Sequence, residues 1–511
     1  MYHSNKNSNS MKKIIISFGL ISSLFISSCK ESFLDVESAS SLYVNEYYTT
    51  ESRIFESLVA AYDPLKWVDY AWGQYGQIGF ASDVMGDDVY VGGSDANDCI
   101  YLHRMANYSA LPTSVTSDLW TIFYSGINRS NVMLENIDNV KDISAANKSL
   151  YIAEAKVLRT YYYSWLWKLW GNIPYYDKNL QFPYTAPQLK ADDVYKNMVT
   201  TLEDAIANGG LPMKQTDQWC GRVTKAMAYM LYSEIVMYQK DESRYPTALG
   251  YMKEIINSGK YKLTEDFASI WEKSGEWNDE SIFEINYTST NGVRSWSNAI
   301  ATGGTVYPKL IGINGLTGGS TYTGGWGFEP VRAEAYQMYE NNDQRRDGGI
   351  LNFSKYAAET GATYSPRYED TGFFLRKYIA RTNGNAGYSA DADLNYDNNF
   401  RIYRYAETLL DAAELAFRTG DTSNAQKYLD QIRTRAGVES ITATLDNIIQ
   451  ERHLEFVGEG KRYWDLIRTG KAATTLVPNK YRTVTWSESK KYLPIPQNEI
   501  DSDNNLTQNP Y

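Results

Sequence analysis

The sequence predicts a mainly α-helical protein, on three observations. Apolar residues recur every three to four positions through segment after segment. Small residues, Ala153, Ala155, Ala226, Ala228, Ala412 and Ala413, sit where neighbouring helices would cross. Between Phe267 and Asn399 that period fades, and Ser289 to Pro330 becomes rich in Gly, Thr and Ser with aromatic residues scattered through it. Together they describe a tetratricopeptide-like stack of paired helices carrying a loop-rich, partly irregular region, the kind of surface where ligand-binding residues gather.

The elements follow in order. Tyr47 to Tyr62 places Ile54, Leu58, Ala61 and Tyr62 on one side, with a cap available from Thr49-Thr50-Glu51. A loop follows with Trp67, Tyr70, Trp72 and Tyr75, then Ala81-Ser82-Asp83. Gly86 to Asp98 has no helical period, and its acids lack the spacing of an EF-hand, so it reads as an irregular surface loop. Trp120, Phe123, Tyr124, Ile127 and Asn131 make the next helix, ending at 134–138. Ser149 to Trp170 is unusually aromatic, and Gly171-Asn172-Ile173-Pro174 breaks it. Asp192 to Ala207, Thr224 to Tyr238 and a helix opened by Pro246 continue the series to Ser258-Gly259. Tyr403 to Arg418 and Asn424 to Arg435 are stopped by Gly420 and Gly437.

Near the C-terminus Thr444 can cap a helix with Leu445, Ile448, Ile449, Arg452 and Phe456 on one face. Gly458 and Gly460 stop it, and Lys461 to Leu466 begins a second one. Glu451, Glu455, Glu459 and Asp465 alternate there with Arg452, Lys461, Arg462 and Arg468. Glu451 and Glu455 have the spacing of a catalytic pair. Each has a base within reach, however, so they read as pins of a helix corner in a partly buried ion-pair network. Asp343-Gln344-Arg345-Arg346-Asp347 reads as structural for the same reason.

Met1 to Ser10 is polar, and Met11-Lys12-Lys13 then opens a signal-like segment, so Met11 is the expected start. The apolar run Ile14 to Ile26 is shorter than the roughly 20 residues a spanning helix needs. It ends at Ile26-Ser27-Ser28-Cys29, which resembles a lipobox, with Cys29 as the lipid anchor. Of the three cysteines, Cys99 and Cys220 remain, a pair that an oxidising compartment permits to join but that makes no disulfide scaffold. The net charge of −11 argues against nucleic acid. With no linker separating domains, 29–511 reads as one globule.

Glu451-Arg452, Glu455-Phe456 and Glu459-Gly460-Lys461-Arg462-Tyr463-Trp464-Asp465-Leu466 resemble the C-terminal signature of the SusD/RagB family, surface lipoproteins of Bacteroidetes that capture nutrients for an outer-membrane transporter. Arg404-Tyr405-Ala406-Glu407, Ile432 to Gly437, Leu493-Pro494-Ile495-Pro496-Gln497 and Gln508 to Tyr511 match in order, so the resemblance spans nearly the whole mature chain. It implies a signal peptide over 1–28 and a SusD-like domain over 29–511, divided into parts at about 29–240 and 260–511. It also implies outer-membrane attachment facing the exterior, a SusC-like TonB-dependent transporter as partner, and no catalysis; no cofactor and no metal-ligand set is expected, with a structural calcium left open.

Aromatic rings stack on the C–H faces of sugars while Asp, Asn and Arg hydrogen-bond the hydroxyls, and loops on a rigid scaffold are where such residues gather. By region, the resemblance implies ligand contacts from the loops after the first helix and from the middle of the chain. The candidates are Trp67, Trp72 and Asp83, then Trp296, Tyr307, Tyr322 and Trp326; of the rings between Ser289 and Pro330 about half are expected to be exposed, the rest filling the core beneath the loops. A glycan is the expected ligand and a RagB-type peptide the alternative. A surface glycoside hydrolase needs only two carboxylates, but no Gly-x-Ser-x-Gly elbow, His-Glu-x-x-His helix or phosphate-binding glycine loop is present.

Overall fold

The computed structural model describes residues 47–511, so the signal segment, Met11 and Cys29 lie outside the described residues. The unit from Thr50 to Tyr511 is mainly helical, with short two-stranded pairs of strand between helices. It is a tetratricopeptide-like scaffold. Among the described residues no helix is long and apolar enough to cross a membrane.

Helix α1 (Glu51–Tyr62) starts where the Thr50 hydroxyl accepts the Arg53 amide at 3.4 Å. Its buried face, Ile54, Leu58 and Ala61, is the stripe the sequence predicts. Two short helices were illegible as periods: α2 (Ile78–Asp83), capped by the Gln77 amide oxygen, and α3 (Ile100–Ala106). Fewer than two turns are too short to display a helical repeat.

The stack follows. Helix α4 (Ser117–Asn136) packs on α1 and on α5 (Ala145–Trp170). Helix α5 begins four residues before the expected Ser149, because Ser144 supplies the cap to the Asn147 amide. From Tyr161 to Trp170 it is buried on all sides, which explains the missing polar face. Lys168 lies inside it, reaching Glu234 at 2.5 Å and sitting 3.5 Å from the Trp165 ring centroid. Helices α6 (Ala191–Asn208), α7 (Lys225–Gln239) and α8 (Tyr245–Asn257) continue the pairing. The C-terminal motif straps the end of α5: Leu493 N–H donates to Leu169 O at 2.7 Å, and Trp170 Nε1–H to Pro494 O at 3.1 Å.

Strand β1 (Ser281–Ile285) pairs antiparallel with β2 (Phe400–Arg404). All ten residues are buried, so neither strand shows an alternating pattern. The helix expected from Tyr403 therefore starts only at Tyr405, as α9 (Tyr405–Arg418). It packs on α10 (Thr422–Ala436) and α11 (Leu445–Phe456). Thr444 caps α11 at the Asn447 amide, and α12 (Arg462–Arg468) follows the turn. Gly460, at φ +74°, lets that turn lie against α2: an added Cβ would stand 2.8 Å from Gly79 Cα.

The C-terminal ion-pair network is deeply buried. Arg404 donates to both oxygens of Glu459 at 2.8 Å and also reaches Glu280 and Glu455, at 2.5 and 3.1 Å. Arg345 pairs with Asp343 at 2.6 Å and with Glu451 at 2.6 Å, and Arg452 bridges Asp411 and Asp465. Burial alone would raise Glu455, yet Arg435, Arg404 and Arg345 hold it well below the usual carboxylate range. Glu451 and Glu455 are thus clamped beneath guanidinium groups, as structural pins. The acids of the 86–98 loop are also engaged: Asp87 with Arg462, Asp88 with His453, and Asp98 with the Ser94 amide. Cys99 and Cys220 are free thiols.

Candidate functional site

Two irregular segments, the loop after α1 and the Gly-rich loop after β1, meet through a buried ion pair. Asp69 lies in a 3₁₀ segment, Asp63–Asp69, that continues α1. Arg294 donates to both its carboxylate oxygens, each at 2.9 Å. The same guanidinium donates to the carbonyls of Tyr70, Ala299 and Gly304 at 2.8, 2.7 and 2.6 Å. Asp69 in turn accepts the amides of Tyr70 and Val306. A planar fork with five donors suits this task, since it fixes several carbonyls at once.

The clamp brings aromatic rings from both loops together at the surface. Trp296 and Trp326 lie 6.1 Å apart with ring planes 27° from parallel. Tyr70 meets Trp296 edge-on at 5.2 Å, Tyr75 lies 5.2 Å from Tyr70, and Trp326 is 5.8 Å from Tyr75. The four rings close a circuit. Beyond it, Trp72 is 52% exposed and backed by Trp67 at 6.0 Å, while Trp296 is 43% exposed. Tyr70, Tyr75 and Trp326 are half-buried.

Polar groups hold and border these rings. Asp118 accepts the amides of Trp72 and Gln74 at 3.1 Å each, fixing the Trp72 turn. Burial pushes the Asp118 carboxyl up, opposed by those two amides. Asp391 accepts the Trp296 amide at 3.0 Å, and Arg367 donates to the Trp326 carbonyl at 3.0 Å. Lys309, whose carbonyl accepts the Trp326 amide, pairs with Asp393 at 3.3 Å. Burial, then the neighbouring Cys99, Tyr70, Asp98 and Asp393, push the Tyr75 hydroxyl far up, so it stays a neutral donor. The surface offers flat rings with carboxylate, ammonium and phenol groups at its border.

Of the seven candidate residues, Trp72, Trp296 and Trp326 come together in this cluster. Trp67 does not face solvent: it is buried beneath Trp72, with the Arg129 guanidinium 4.9 Å from its ring centroid. Asp83 is buried as the last residue of α2, and its carboxylate accepts the Gly460 amide at 2.9 Å. It braces the signature turn. Tyr307 is buried against Tyr378 and Phe400, its hydroxyl donating to Glu329 at 2.7 Å. Tyr322 belongs to a small separate core with Phe353, Tyr356 and Phe374. Asp83, Tyr307 and Tyr322 are thus interior supports, because each side chain is enclosed by its own neighbours. Tyr70 and Tyr75, which complete the circuit, were not among the candidates. Their spacing with Trp67 and Trp72 was the available signal.

Two roomier clefts lie elsewhere. One of about 880 Å³ runs beside α10 at Tyr261, Gln426 and Thr434; one of about 660 Å³ lies at Phe55, Val59 and Asn286. Neither cleft is lined by Trp72, Trp296 or Trp326.

The fold and this surface define a helical binding scaffold with an exposed aromatic platform. The family model described as "SusD family" matches residues 279–511, and one described as "Starch-binding associating with outer membrane" matches residues 94–218. Surface glycan-binding protein A from Bacteroides thetaiotaomicron, solved alone and in complex with laminarihexaose, is 50% identical with a TM-score of 0.87, covering 91% of this chain and all of that one. A laminarin binding SusD-like protein is 30% identical with a TM-score of 0.82, again over 91% of this chain and all of that one. SusD-like protein P25 of Formosa agariphila is 24% identical over 96% of each chain. The chain belongs to the SusD family.

Proposed function

We propose that this protein is a surface-exposed, lipid-anchored glycan-binding protein that captures a laminarin-type glucan and passes it to a SusC-like TonB-dependent transporter. The observation that carries the reading is the ring circuit of Tyr70, Tyr75, Trp296 and Trp326, flanked by exposed Trp72. Each sugar–ring contact is weak, so an oligosaccharide is held only where several platforms are spaced along it. Neighbouring rings here are inclined to one another by 27° to 80°, so they do not form one flat surface. Inclined platforms suit a chain that itself curves, as 1,3-linked glucose does, and a relative half identical in sequence has been solved with laminarihexaose.

A binding role, not hydrolysis, fits the carboxylates. Glu451 and Glu455 are clamped under arginines in the interior, and at the rings Asp118 and Asp391 hold backbone amides. Delivery rests on family membership and on the lipobox-like Cys29. A tether at the membrane raises the effective concentration of captured ligand at a transporter mouth, so modest affinity suffices. Electrophoresis of the purified protein through gels containing laminarin or mannan tests the ligand class. Retardation by laminarin supports the reading, and equal mobility in both gels and in plain acrylamide contradicts it.

A further inference from the structure

A third cleft, of about 270 Å³, lies between α3, the 89–91 segment, Arg332, the 368–369 turn and the 479–482 loop. Its aromatic wall is a tyrosine trio. Tyr481 meets Tyr90 edge-on at 4.9 Å and Tyr368 at 5.6 Å. Three guanidinium groups line it, from Arg104, Arg332 and Arg482, against a single lining carboxyl, Glu369.

The donors here exceed the acceptors. Arg482 is engaged by the carbonyls of Ala106 and Gly86 at 2.6 and 2.7 Å. Arg332 lies 5.3 Å from the Tyr90 ring centroid and 3.5 Å from the exposed Glu334, and its Nε is buried without a hydrogen-bond partner. His103 Nε2 is also buried without a partner, a donor only in the tautomer that protonates it, and its Nδ1 lies 4.0 Å from Glu369. Arg104, on α3, forms no ion pair among the described residues. On the acidic side, Glu369 already accepts the Gly92 amide at 2.8 Å, and burial pushes its carboxyl up. Asp98 and Asp95 are nearby but serve the Ser94 and Asn97 amides. A buried donor without an acceptor is destabilising, so an oxyanion arriving here relieves a standing penalty.

We propose that this pocket is a second binding site, distinct from the ring circuit, for one acidic sugar unit. The pyranose would stack on Tyr481, and its carboxylate or sulfate ester would face Arg104 and Arg332 Nε. The volume admits a single ring and its substituent but no longer chain. The proposal rests on reading the chain as a glycan binder, and it adds acidic decoration to what the protein recognises.

The test is saturation-transfer NMR and equilibrium dialysis on the full chain, with glucuronic acid, glucose 6-sulfate, glucose and inorganic sulfate as probes. The acidic sugars are expected to bind at least about tenfold more tightly than glucose, with the advantage shrinking as salt rises. Arg104→Ala should erase that preference, and Arg104→Lys should keep part of it, with laminarihexaose binding unchanged in both. Equal binding of glucose and glucuronic acid overturns the proposal, as does an unchanged preference in both Arg104→Ala and Tyr481→Ala. Inorganic sulfate binding as tightly as the acidic sugars overturns the saccharide assignment. If laminarihexaose fails to bind while the acidic sugars bind through Arg104, the main functional reading fails and this site stands.

Discussion

Arg294 and Asp69 are 225 residues apart in sequence and share two hydrogen bonds of 2.9 Å each in the protein interior. The pair sits directly behind Tyr70 and two residues before Trp296, so it sets the spacing of rings contributed by separate loops. Both charges are almost wholly buried, and burial, though it disfavours the cation, is outweighed by Asp69, which keeps Arg294 firmly protonated.

Breaking that pair should therefore damage fold and site together. Asp69→Ala leaves a buried guanidinium uncompensated, and a loss of about 3–5 kcal/mol of stability is expected. Urea unfolding measures the loss, and glucan binding should fall with it. A variant as stable as the parent would show that the pair does not organise the loops.

Trp67 and Trp72 touch but should respond oppositely to truncation. Trp67→Ala removes a buried ring and should cost about 3–5 kcal/mol of stability. Trp72→Ala removes a half-exposed ring, so thermal stability should barely move. Glucan affinity should drop by about 1–3 kcal/mol, by analogy with stacking on other π-faced ligands. Melting curves and calorimetry on the two variants separate these effects.

The contrast shows what was legible in the sequence. The stack was, because long helices such as α4 and α5 show their period or its all-round apolar form. The C-terminal network was legible too, since alternating charges beside Phe456 and Trp464 have few other uses. Trp72, Trp296 and Trp326 could be placed by region alone. Which rings face solvent could not, because Trp67 lies in the 3₁₀ segment and Trp72 in the bend just after it, a difference that no local period announces. Tyr307 and Tyr322 sit in the same Gly-rich region as Trp326, yet Glu329 and the Phe353 cluster draw them inward. Such differences are set by partners far along the chain, as with Asp83 and Gly460.

Glu329 gives a pH signature. Burial pushes its carboxyl up to about 8, opposed by the hydroxyl of Tyr307, and the buried Asp83 beside it is raised too, partly by Glu329, so the two acids titrate together. In the unfolded chain a glutamate ionises near 4.3. Its contribution to stability is thus full below about pH 4 and is lost as pH rises towards 8. Glu329→Gln keeps an acceptor for Tyr307 and does not ionise. The variant should match the parent near pH 4 and be increasingly more stable than it up to pH 8. A constant difference across that window would contradict the assignment.

Cys29 carries the anchoring proposal. Cys29→Ala should abolish lipid labelling and move the protein from the membrane fraction to the soluble one. Retention in washed membranes by the variant would remove the lipid anchor from the account.

The central claim, that the circuit of Tyr70, Tyr75, Trp296 and Trp326 holds a glucan chain, is tested most directly by titrating laminarihexaose into the parent protein and into Trp296→Ala and Trp326→Ala. The account predicts binding by the parent, a loss of about 1–3 kcal/mol in each variant, a melting temperature close to the parent's for Trp296→Ala, and a lower one for Trp326→Ala, whose ring is half-buried. Laminarihexaose binding with undiminished affinity in both variants, each still folded, would contradict it.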